Sequence, residues 1–222
     1  MINSKLVQIL QTFDSKQRRA LDDFVASPYF NKQTDLLQYY RHLKKLAAKG
    51  FPPEKLNRKE LFRKAFPNQN YDEKQLNYLS SQLLKLIERY VSISGFEEAG
   101  ILTNYFQLRY CIDNRLEKHY QFGMKTAQKK LQQTKRGDEQ YFYQQYLLAD
   151  LREKHFSSLK ERRYDPGLQE SADYFDQYYL FKKLYHLCAM LDRQHVVTPG
   201  YDKWSTISPL TRLRSEHSNN YY

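Results

Sequence analysis

Apolar residues along this chain recur at spacings of three and four, the period of an amphipathic helix, and strand-like alternation of Val, Ile and Thr is nearly absent. The pattern predicts an all-α protein. Leu6, Ile9, Leu10 and Phe13 mark a first helix over 4–13. Ser15 can cap a second, with Leu21, Phe24 and Val25 as its inner face, and Pro28 forces it to stop. The turn Ser27-Pro28-Tyr29-Phe30-Asn31 is expected to fold both aromatics back onto the core. A third helix is read from Asp35 to Lys49, with Gly50 at the left-handed cap position. Asn57 with Glu60, and Asp72 with Gln75, have the spacing of capping boxes for a short fourth and a long fifth helix. Leu76, Leu79, Leu83, Leu86, Tyr90 and Ile93 stripe the fifth, which Ser94-Gly95 is expected to end. These five helices form a predicted N-terminal unit over 1–96.

A repeated motif organises the rest of the chain. Tyr105-Phe106, Tyr141-Phe142 and Tyr174-Phe175 are each followed by three residues, a tyrosine and a mostly apolar pair. The offsets are 36 and 33 residues, in the range of stacked supersecondary units. Glu117-Lys118-His119-Tyr120 also matches Glu153-Lys154-His155-Phe156 at the offset of 36. Helices are predicted over 99–114, 116–135, 139–162 and 169–194, so 97–196 reads as an array of helical hairpins. No helix fits between the second and third copies, which makes the array irregular. The stretch 197–222, with Pro199-Gly200, Trp204 and Pro209, reads as an irregular tail or linker. Either the chain continues into a longer array or Trp204 pins this tail onto it.

The paired-helix period of residues 99–194 resembles tetratricopeptide-type repeats. The family's Leu-Gly pair before the tyrosine and its regular alanines are missing, so no binding positions carry over. The first 95 residues resemble the start of all-helical bacterial proteins, on Ser27-Pro28-Tyr29-Phe30-Asn31, Phe66-Pro67 and Ser80-Ser81-Gln82-Leu83-Leu84-Lys85-Leu86. That resemblance implies no activity.

Composition adds three points. Tyrosine occurs 20 times among 222 residues, and its apolar ring with a polar tip suits half-buried helix seams. Net charge is +11, which favours anionic partners without bearing on fold. Cys111 and Cys188 lie far apart within helical apolar patterns and read as buried free thiols of a reducing compartment. No apolar run is long enough to span a membrane, and the first residues lack the apolar core and cleavage site of a signal peptide. A cytoplasmic protein with no membrane partner is therefore the expectation.

Candidate chemistry is thin. Between positions 41 and 64, nine Lys and Arg stand against two Glu, a net of +7. Arg41, Lys44, Lys45, Lys49, Arg58, Lys59, Arg63 and Lys64 could contact nucleic-acid phosphates. The plainer reading is a solvated face, because these cations alternate with the apolar stripe. The fourth and fifth helices could form a helix-turn-helix, but the Pro67–Tyr71 connection is long and the fifth helix is apolar on several sides. His119, His155 and Cys188 occupy equivalent motif slots, yet equivalent slots lie a repeat apart and would not converge on zinc. They read as polar groups hydrogen-bonded in helix seams. No paired carboxylates, Gly-rich phosphate loop or nucleophile elbow stands out, so neither an enzyme nor a metal nor a cofactor is expected. Stacked hairpins offer extended surface. The expected function is a non-catalytic scaffold that binds another protein, with a nucleic-acid-binding module as the alternative.

Overall fold

The computed structural model describes residues 4–52, 57–133, 137–160 and 163–194, and it is all-α, with nine helices and no strand among these residues. Two compact units part between Glu98 and Ala99. The predicted tail 197–222, with Trp204, lies outside the described residues.

The first unit holds α1 (Lys5–Thr12), α2 (Ser15–Ala26), α3 (Thr34–Ala47), α4 (Arg58–Ala65) and α5 (Glu73–Glu98). Four of these helix starts follow capping chemistry, while Gln33 before α3 makes no side-chain cap bond. Ser4 accepts the Val7 N–H. Asp14, not Ser15, caps α2: its carboxylate takes the Gln17 N–H at 2.7 Å while the Gln17 side chain takes the Asp14 N–H at 3.1 Å. A carboxylate placed one residue earlier completes the reciprocal pair, so it wins over the serine. Asn57 caps α4 through the Lys59 N–H, and Asp72 accepts the N–H groups of Lys74 and Gln75. After α3 the chain turns on Gly50, at φ +70° as its cap position requires, and on Phe51, at φ +54° with a buried ring.

α5 continues through Gly95 to Glu98, past the predicted stop. A single helix-interior glycine costs about 1 kcal/mol, too little to end a helix whose preceding turns are anchored by Leu83, Leu86, Ile87 and Tyr90. This stripe faces α1, α2 and α3, while α4 packs on α3. A single apolar cluster runs from Leu6 to Tyr90. The buried tyrosines satisfy their tips. Tyr90 Oη donates to the Gln17 carbonyl at 3.1 Å and Tyr40 Oη to Asp22 at 2.6 Å. Ser80 gives its proton to the Leu76 carbonyl, so the 2.9 Å contact between Tyr39 and Ser80 has the tyrosine donating. Of the turn aromatics, Phe30 stacks on Phe24 at 4.0 Å, but Tyr29 points to solvent, contrary to expectation. Its ring meets Phe30 edge to face instead, at 4.9 Å and 89°.

The second unit holds α6 (Ile101–Asp113), α7 (Glu117–Gln133), α8 (Glu139–Ser158) and α9 (Gly167–Gln194). α7 and α8 pack on α6 and on each other, and α9 packs on α8. Ile101, Leu108, Tyr120, Met124, Leu131, Leu148 and Leu151 make the core. The Cβ-less Gly123 lets α7 approach Leu108: a methyl group there would meet Leu108 Cδ2 at 3.0 Å. Asp138 caps α8, accepting the Tyr141 N–H at 2.8 Å. α8 ends at Ser158 and α9 starts at Gly167, which leaves a short link as the missing helix implied.

The motif copies sit unlike one another. The second and third face each other across one antiparallel hairpin, with Tyr146 against Phe175, Tyr143 against Tyr178, and Phe142 against Phe181, at centroid separations of 4.8–5.3 Å. The first copy, on α6, leaves Phe106 and Tyr110 exposed.

Candidate functional site

Two features of the second unit are candidates, a polar cleft and an apolar helix face.

The cleft lies between α7, α8 and the turn into α9. It encloses about 500 Å³, with an adjoining lobe of about 750 Å³ on the α6–α7 turn side. Glu117, Tyr120, His155 and Leu159 line both lobes. The His155 ring stacks on Tyr120 at 3.9 Å and 15°. His155 Nε2 stands 2.7 Å from Glu117 Oε2, while Glu117 Oε1 accepts the Gln121 amide at 2.8 Å. The Gln121 hydrogen bond and then the His155 pairing hold the Glu117 carboxyl below its ordinary range. Burial pushes the Tyr120 phenol up to about 12, so it stays a neutral platform for the imidazole. Arg152 pairs with Glu170 at 2.6 Å, tying α8 to α9, and its Nε is buried without a hydrogen-bond partner. Arg115 and Lys160, both at φ +55°, turn the chain at the rim of the second lobe.

Chemically, an imidazole–carboxylate pair is half of an acid–base device. A nucleophile within hydrogen-bond reach is the missing half. Cys111 lines the same lobe, but no hydrogen bond joins its thiol to the imidazole, and the Ser158 hydroxyl donates to the His155 carbonyl instead. The residues present clamp the start of α7 to the end of α8. Among the described residues no group of three His, Cys, Asp or Glu could hold a metal ion.

The second feature is α9. Of its described side chains only Gly167 and Ser171 are buried. Its apolar residues are spread round the helix, whose partner of extensive contact is α8. Leu180 is 48% exposed, Leu184 60%, Tyr185 62% and Leu191 44%. Apolar surface all round belongs to a helix covered on more than one side. At roughly 100° per residue, Leu180, Leu184, Leu187 and Leu191 fall within an arc of roughly 60°. Tyr178 and Ser171 lie on the side turned to α8. Cys188 is exposed beside this stripe, where a buried thiol was expected, and α8 meets the opposite, aromatic side through Tyr178.

The basic residues of positions 41–64 divide. Lys44 Nζ is held by Asp22, and Arg58 bonds Asn77 and reaches Glu73 at 3.6 Å. Arg41, Lys45, Lys49, Lys59, Arg63 and Lys64 are exposed. Lys45 from α3 and Lys64 from α4 both bear on His42, whose pKa is lowered first by burial and then by these two charges. Lys55 lies outside the described residues. α5, the reading helix of a helix-turn-helix, has its stripe in the core. His119 is exposed, His155 sits in its seam, and Cys188 joins neither.

Sequence reasoning passed over both features. The shared Glu-Lys-His tails did contain Glu117 and His155, but matched them to Glu153 and His119 rather than to each other. In the structure Glu117 and Tyr120 of the first tail grip His155 of the second. For α9 the sequence reading gave a helix over 169–194 with Cys188 buried in it, and did not single out the leucine stripe.

No helix among the described residues is long and apolar enough to cross a membrane. Comparison with family models, curated proteins and solved structures returns no match, so the geometry alone carries the functional argument.

Proposed function

We propose that this chain is a non-catalytic protein-interaction module whose docking face is the outer side of α9. One observation carries the reading: a 28-residue helix buries no large side chain while exposing Leu180, Leu184 and Leu191 in register. Contiguous exposed apolar surface marks interaction sites. The arrangement is compatible with the terminal hairpin of a stacked helical array, and the clamp of Glu117 on His155 supports it as a rigid platform.

The nucleic-acid reading has one support, the convergence of Lys45 and Lys64 on His42. It is the weaker reading. Two of its cations are engaged with Asp22 and Glu73, and the exposed aromatics of the first unit's described residues, Tyr29, Tyr78 and Phe96, lie on other segments.

Tagged chain is purified beside a Leu184→Glu, Leu191→Glu variant from one source. The expected result is a stoichiometric protein retained by the wild type and lost from the variant. An unchanged set of proteins, or none from a chain that is itself monomeric, overturns the reading.

A further inference from the structure

We propose that the occupant of the α9 face is a second copy of this chain, joined α9 to α9 through Leu180, Leu184, Leu187 and Leu191; this rests on the reading of that face as a docking surface.

The spacing of the four leucines is four, three, four, the alternation of a coiled-coil seam. It is symmetric about its midpoint. Two copies related by a two-fold axis across the stripe therefore place Leu180 of each against Leu191 of the other, and Leu184 against Leu187. Each layer is leucine on leucine, the self-complementarity that an isologous interface requires.

Charge is cleared from the seam. Lys182 Nζ is drawn 2.6 Å from Glu139 Oε1 and lies 5.6 Å over the Tyr185 ring. Lys183 lies 5.7 Å over the Tyr179 ring. By helical angle, His186 and Arg193 fall on the side opposite Leu184. The stripe thus has one flanking charge, Lys183, held over the Tyr179 ring, and none between its leucines. It matches an equally apolar helix of the same spacing, which the chain itself carries.

Access is also provided. Lys182 pairs with Glu139, the first residue of α8, so the last 12 residues of α9 run on past that point, about 18 Å at 1.5 Å per residue. A second helix can lie along them without meeting α8. The leucines of this extension then gain the cover that α8 does not give them.

Sedimentation equilibrium on the full chain, from low to high micromolar, tests the proposal. The wild type is expected at twice the chain mass at the upper end. Leu184→Glu with Leu187→Glu is expected at the single-chain mass throughout, with helical circular dichroism unchanged. Should that variant lose its helical signal, Leu184→Gln takes its place, with an expected weakening of dimerisation of tenfold or more. Hydrogen exchange adds a second readout: amides of 180–191 should gain protection as concentration rises. A wild type monomeric at every concentration, or a dimer that survives the folded variant, overturns self-pairing. Protection of 180–191 that is independent of concentration also overturns it, since the cover then comes from the chain's own remainder. A monomeric chain that still retains another protein, lost from the Leu184→Glu, Leu191→Glu variant, refutes self-pairing and leaves the docking face standing. A monomer with no such protein refutes both.

Discussion

The two units spend similar lengths of chain on different kinds of interior. Among the described residues the first gathers 24 buried apolar side chains into one cluster, drawn from all five helices and the α3–α4 link. The second gathers nine into its cluster, none of them from α9. In place of buried aliphatics, α8 and α9 meet through half-buried ring pairs, such as Tyr146 on Phe175. A helix in the first unit is held by a face fully removed from water. α9 is held by one edge, and the rest of its apolar surface remains in solvent. The first unit therefore reads as closed and the second as open to a partner.

The sharpest way to break this contrast is to truncate one leucine in each unit. Leu83 is fully buried on α5, so Leu83→Ala should cost about 2–5 kcal/mol through lost burial and the cavity left behind. Leu184→Ala, in dilute solution, should change stability by no more than about 0.5 kcal/mol. Urea unfolding followed by circular dichroism measures both. Comparable losses at the two sites would mean that Leu184 is covered, and the contrast would fail.

The glycines sharpen the same comparison. Gly95 lies inside α5 with nothing within 4 Å of the place a Cβ would take, whereas a Cβ on Gly123 of α7 would meet Leu108 at 3.0 Å. Gly95→Ala should stabilise by about 0.5–1 kcal/mol, because alanine loses less backbone freedom on folding. Gly123→Ala gains the same term but presses on a buried leucine, and overpacking of about 1–3 kcal/mol should leave it net destabilising by about 1 kcal/mol. Melting temperatures moving in opposite directions would support this, and stabilisation at both sites would show that Leu108 yields.

The first unit was legible because periodicity, caps and turns all pointed one way. Asn57, Asp72 and Gly50 do what their types imply, and the α5 stripe is the core. Besides the outward turn of Tyr29, two local errors have local causes. Asp14 outcompetes Ser15 because only it completes a reciprocal pair with Gln17. Gly95 fails to stop α5 because packing upstream outweighs one weak residue. The second unit was less legible because its order depends on which helix meets which. Periodicity shows that α9 has an apolar stripe and is silent on whether anything covers it. Glu117 and His155 are 38 residues apart, and only the antiparallel packing of α7 and α8 brings them together.

That pairing gives a smaller, pH-dependent test. Gln121 and His155 depress the folded-state pKa of Glu117, so its contribution to stability is present above the unfolded carboxylate range and is lost as pH falls through the folded value. Glu117 is more than half exposed, and solvent screening keeps the effect below about 1 kcal/mol. Wild type should be more stable than Glu117→Gln at pH 6, and the gap should close by pH 3. A gap unchanged across that range would mean that the carboxylate's charge is not what holds His155.

The smallest effect belongs to the first unit. Burial, then Lys64 and Lys45, lower the folded-state pKa of His42, so the folded chain resists its protonation. The sign follows from proton counting: below the ordinary histidine range, near 6.5, the unfolded chain binds more protons than the folded one, and stability falls with pH. That contribution is complete above pH 7 and declines on acidification towards the folded pKa. Because His42 is only partly buried, the loss between pH 7 and pH 5.5 should be a few tenths of a kcal/mol. His42→Gln should remove this slope, and Lys64→Gln should reduce it, since one of the two opposing charges is gone. Denaturant midpoints at the two pH values report both. A slope that His42→Gln abolishes but Lys64→Gln leaves intact would assign the shift to burial alone. The lysines of α3 and α4 would then not act on a common spot, and the remaining support for a phosphate-binding face on the first unit would disappear with it.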